Sequence, residues 1–69
     1  MEEGYKLIVT KAGNDGMKKS MVAVYPLRQE FLISLEEDFE QRKKEPDVVE
    51  LRLFRFDENG LHELRRYVR

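Results

Sequence analysis

The sequence predicts an α+β domain of ββαββ order, one helix packed on a small antiparallel sheet. Three observations predict it. Two polar, glycine-bearing stretches, "AGNDG" and "DENG", each follow a run in which apolar and polar residues largely alternate, as in hairpins. Between these hairpins, a segment bracketed by Pro26 and Pro46 repeats its apolar residues every fourth position, as an amphipathic helix does. The chain has 69 residues, enough for a single domain over 1–69 and no more.

In "YKLIVTKAGNDGMKKSMVAVY", Tyr5, Leu7 and Val9 alternate with Lys6, Ile8 and Thr10, the period of a strand with one buried face. The glycines, Asn14 and Asp15 are residues that accept the positive φ of tight turns. The second strand is apolar on both faces from Met21 to Tyr25, more than a half-exposed strand requires. In the helix, Pro26 suits a first helical position, where its missing N–H costs nothing, and Pro46 marks the stop. Leu27, Phe31, Leu35 and Phe39, widened by Leu32, form the core-facing stripe. Arg42, Lys43 and Lys44 crowd the last turns, as the helix dipole favours. In "DVVELRLFRF", Val49, Leu51 and Leu53 share one face against Glu50 and Arg52. Asn59-Gly60 then reads as a hairpin turn with positive φ at both residues. It makes "LHELRRYVR" a fourth strand, although Leu61, Leu64 and Val68 also fit a short helix.

The element order resembles that of small β-grasp-like domains. The resemblance is confined to that order and brings no functional residue with it, since a shared fold does not imply a shared function.

Composition narrows the function classes. A chain this short buries only about 60% of its unfolded surface, and with no cysteine it has neither disulfides nor thiolate chemistry. Charged residues make up 39% of it, but the net charge is −1, without the basic excess usual in nucleic-acid binders. The longest apolar run, Met21–Tyr25, is far short of the ~20 residues of a membrane helix. The acidic start "MEEGYKLIV" lacks the order of a signal peptide. A soluble, intracellular, cytoplasmic protein without membrane attachment is expected.

Chemistry has few candidates. His62 is the sole histidine, and its neighbour Glu63 would point to the other face of a strand. Ser20, Ser34 and Thr10 lack any nucleophile-elbow or phosphate-loop context. The carboxylates Glu36, Glu37, Asp38 and Glu40 lie among basic residues as a solvated helix face does. No enzyme activity, cofactor or metal is expected.

Two surfaces are candidates for binding. Simple alternation places Ile8, Phe54 and Phe56 on the sheet face away from the helix, where with Met21–Tyr25 they make an apolar patch larger than a monomer usually shows. Self-association into a homodimer would cover it. A β-bulge near Phe54 would instead turn Val49, Leu51, Leu53, Phe54 and Phe56 into one core face. The second surface is the outer helix face, where Ile33 is ringed by Glu30, Glu36, Glu37 and Glu40; residues 26–46 hold six acids against four bases, suited to a basic partner protein. The sequence thus points to a small non-catalytic protein-interaction module, of adaptor or inhibitor type, whose partner is unknown. The alternative is single-stranded nucleic-acid binding through Arg52, Arg65, Arg66 and Tyr67, using arginine and aromatic side chains as single strands require. Against it, residues 47–69 balance five arginines with five acids.

Overall fold

The computed structural model describes residues 2–69. Its elements are β1 (Gly4–Ala12), β2 (Lys18–Pro26), α1 (Gln29–Arg42), β3 (Val48–Asp57) and β4 (Gly60–Val68). They form one four-stranded sheet in the order β2-β1-β3-β4, with every ladder antiparallel. The last element is therefore a strand. Because β1 lies between them, β2 and β3 run parallel, and α1 is the crossover connecting them, packed on β3 and β1.

The core follows from alternation. Leu7 pairs with Leu53 and Val9 with Leu51, and these side chains with Tyr5 and Val48 meet Leu35 and Phe39 of α1. Leu27, Phe31 and Leu32 pack at the margin with Tyr25 and Tyr67, as the helical stripe predicts.

Of four details, three differ from expectation and one, the third, decides between the two readings of Phe54. First, α1 begins at Gln29, and Pro26 ends β2 opposite Gly4. On an edge strand a proline gives up no ladder bond, so it fits there as well as at a helix start. Fourteen residues make α1 about 21 Å long. Second, Thr10 pairs with Glu50 but Lys11 pairs with Val48. The extra residue, Val49, shifts the alternation, so that Val48 enters the core in place of Val49. Third, a bulge does fall at the Leu53/Phe54 step, but its extra residue is Leu64 of β4. The alternation of β3 is undisturbed there, and Phe54 stays on the face away from α1. Fourth, Asn59 does not have positive φ; only Gly16 (φ 80) and Gly60 (φ 119) do among the described residues. Asp57 pairs with Gly60, so the loop is Glu58–Asn59, and the Asp57 carboxylate accepts the Asn59 N–H at 2.8 Å.

The helix start is under-capped. Arg28 is the N-cap residue, extended at φ −136 and ψ 140, and no side chain caps the free N–H groups. Arg28→Ser supplies an acceptor there and should stabilise the domain by about 0.5–1 kcal/mol, raising Tm by several degrees in a chain of this size. Thermal unfolding followed by circular dichroism checks this; no rise in Tm would mean that the first turn is already satisfied by water.

Candidate interaction surface

On the face away from α1, the register aligns Val22 and Val24 of β2, Lys6 and Ile8 of β1, Arg52, Phe54 and Phe56 of β3, and Leu61, Glu63, Arg66 and Val68 of β4. Ile8, Phe54 and Phe56 therefore share this face, but they do not form one exposed patch. Phe54 is only 4% exposed. The Arg52 guanidinium lies 4.7 Å from its ring centre, and Lys6 and Glu63 stand opposite it on the flanking strands. Charge also covers the middle of the β3–β4 half, where Arg52 binds Glu63 at 3.2 Å and Arg66 lies 3.6 Å from Glu50 and 4.0 Å from Glu63; Leu61 and Val68, at the two ends of β4, stay exposed.

The β2 half is bare. Val22 and Val24 are 55% and 49% exposed, and on the opposite face Met21 is 51% exposed. On the Met21 face the cause is the position of α1, which packs on β1 and β3 and leaves much of β2 uncovered; on the Val22 and Val24 face no second layer covers the sheet among the described residues. Ile8, half-buried beside Val22, continues this apolar strip inward. Thr10 and Ser20 bond each other at 2.9 Å at its far end.

The arginine and aromatic group expected to act together is divided between two faces. Arg52 and Arg66 lie on the open face, whereas Arg65 pairs with Leu53 and Tyr67 with Leu51 on the helix face. Arg65 stacks on the core residue Phe39 at 4.4 Å and donates to Glu40 of α1. Lys43 sits 5.5 Å over the Tyr67 ring, and Arg69 donates to the carbonyls of Pro46 and Lys43, fastening the last residue to the end of the helix. The hydrogen bond from Arg65 holds the Glu40 carboxyl below its ordinary pKa, against desolvation, with the charges of Lys43 and Arg65 adding to it. A lowered folded-state pKa contributes stability above the unfolded carboxylate range, and that contribution is lost as pH falls through the folded value.

Arg65 and Arg66 should therefore differ although adjacent. Arg65→Ala uncovers Phe39 and should cost about 0.5–1 kcal/mol. Arg66→Ala, confined to exposed ion pairs, should cost only a few tenths of a kcal/mol. Urea unfolding of the two variants checks the order, and equal midpoints would contradict the stacking.

On the outer face of α1, Ile33 is 53% exposed. Together with Glu36, Glu37, Glu40, Gln41 and Arg65 it lines a broad open depression of about 810 Å³. Glu40 is engaged by Arg65 and Lys43. Glu36 and Glu37 have no ion pair among the described residues, so they are the acids free to meet a partner.

His62 stands 3.5 Å from Asp57, and Arg55 lies 3.7 Å from the same carboxylate. The carboxylate beside this histidine is thus a cross-strand neighbour and not the adjacent Glu63, a pairing that only the hairpin register reveals. The histidine side chain is half exposed, and Thr10 and Ser20 lie at the opposite end of the sheet. The remaining hydroxyl of this kind, Ser34, donates to the Glu30 carbonyl of its own helix. Among the described residues no cluster of His, Cys, Asp and Glu has metal-binding geometry, and no helix is long and apolar enough to cross a membrane. No family model, curated protein or solved structure matches the chain.

Proposed function

We propose that this chain is a non-catalytic protein-interaction module that self-associates and acts by occupying a partner protein. The observation that carries the reading is the bare β2 strand, with Val22 and Val24 exposed on one face and Met21 on the other. About 25 cal/mol per Å² of apolar surface removed from water makes covering such a strand worthwhile for a domain with a small core of its own. The outer helix face, with Ile33, Glu36 and Glu37, is then available to a basic partner. The concavity beside it is open to solvent and offers no desolvated position in which a reacting group would be activated, which supports a binding role.

Light scattering at micromolar concentration tests self-association. The expected mass is twice the 8.3 kDa of the chain, and a clean 8.3 kDa species would overturn it. Single-stranded nucleic-acid binding ranks second, because Arg52, Arg65 and Arg66 are already held by carboxylates. A phosphate backbone would have to displace those partners, and failure to bind a labelled oligonucleotide at low salt would remove that reading.

A further inference from the structure

The self-association proposed above leaves open how two copies meet, and the inference that follows rests on it. We propose that β2 pairs with β2 of a second copy, antiparallel, about a two-fold axis through Val22, making one continuous sheet from the two four-stranded sheets.

The backbone of β2 is poised for this. The first hairpin closes with Gly13 N–H donating to the Met17 carbonyl at 2.8 Å. From there the register with β1 runs without a shift, from Ala12 opposite Lys18 to Gly4 opposite Pro26. In an antiparallel ladder, hydrogen-bonded and non-bonded pairs alternate. Lys19, Met21, Ala23 and Tyr25 therefore bond to β1, while Lys18, Ser20, Val22 and Val24 turn their N–H and C=O groups outward. Pro26, next in the outward set, has no N–H to offer.

The two edges of the sheet differ in protection. Edge strands are usually kept from pairing by bulges, charges or brevity. The other edge, β4, has a bulge at Leu64 and carries His62, Glu63, Arg65 and Arg66 along its middle. On β2 there is no bulge against β1, the length is nine residues, and the charges are confined to Lys18 and Lys19 at one end.

The strand is also self-complementary. It spans Lys18–Pro26, so Val22, an outward residue, is its midpoint. With the axis there, Val22 exchanges both backbone bonds with its twin, Ser20 pairs with Val24 of the second copy, and Lys18 faces Pro26. Lys19 faces Tyr25, so no lysine opposes a lysine, an arrangement that would be destabilising. Moving the axis to Ser20 gathers four lysines around it, and moving it to Val24 brings the missing donor of Pro26 inward. In the Val22 register, the valines adjoin on the open face, and Met21 meets Ala23 of the second copy on the face bearing α1. Val22, Val24 and Met21 are among the side chains left about half exposed in one chain.

The absence of native cysteine gives a direct test. Val22→Cys should cross-link to itself under mild oxidation, because hydrogen-bonded antiparallel partners sit about 5.5 Å apart at Cα, within disulfide reach. A mixture of Ser20→Cys and Val24→Cys chains should cross-link to each other, whereas Ser20→Cys alone should not, its twin lying about 14 Å away along the strand. Val22→Pro, which removes an outward donor, should lose the dimer mass while keeping the far-ultraviolet spectrum. A wild-type monomer at micromolar concentration overturns self-association as a whole. A wild-type dimer in which Val22→Cys fails to cross-link overturns edge pairing alone, and efficient cross-linking of Ser20→Cys to itself overturns the register.

Discussion

Phe39→Ala should unfold the domain or leave it barely folded at 25 °C. The ring is 1% exposed, closes the C-terminal end of the α1 stripe, and is capped by the Arg65 guanidinium 4.4 Å away. Replacing a buried phenylalanine by alanine costs about 3–5 kcal/mol, from lost transfer energy and the cavity left behind. At roughly 0.05–0.15 kcal/mol per residue, a chain of this size has about 3–10 kcal/mol in all. Phe39→Leu retains most of the volume and serves as the folded reference, with a loss well below that of alanine. Urea unfolding of both variants checks the expectation. An alanine variant that melts within a few degrees of wild type would mean that α1 is not docked on β1 and β3.

Gly60→Val should cost about 1–3 kcal/mol through backbone strain alone. Gly60 has φ +119, and a Cβ built there would meet nothing within 4 Å. Crowding therefore cannot be the cause. A β-branched residue is a marked outlier at positive φ, so the closing residue of the β3–β4 hairpin would have to change conformation or bear the strain. The variant should melt at a lower temperature, with Gly60→Ala between it and wild type because alanine lacks the branch. A melting point unchanged by valine would show that the turn has another conformation of equal energy.

Much of the fold could be read from local signals. Glycine-bearing turns preceded by alternating residues marked both hairpins, and a stripe at every fourth position marked the helix and its buried residues Leu35 and Phe39. What could not be read were the points at which alternation breaks. Neither Val49 nor Leu64 carries a local mark of a bulge, because a bulge depends on the count of residues between fixed points on two strands. The start of α1 was ambiguous because Pro26 satisfies two rules at once, the first turn of a helix and the end of an edge strand. The separation of Arg65 from Arg66 needed only the period of two, in which neighbours point to opposite faces. The shielding of Phe54 by Arg52 follows the same period, since both belong to one face of β3. The outward apolar character of β2 was visible in Met21–Tyr25. Its place at a sheet edge only partly covered by α1 depends on strand order, which no single segment encodes.

That order also governs how the domain assembles in time. Each hairpin joins residues close in sequence and can form within about 1–10 μs. The seam between β1 and β3 joins Gly4 to Phe56 and Leu7 to Leu53, well over half the chain apart, and it cannot close until the intervening segment has curled back. Non-local pairings of this kind slow folding by orders of magnitude relative to local ones. Until the seam forms, both sides of it are unpaired strand edges, and the first hairpin presents β1 and β2 alike to any neighbouring chain. The interval before closure is thus when this protein is most exposed to mispairing, and dilution during refolding should favour the native sheet.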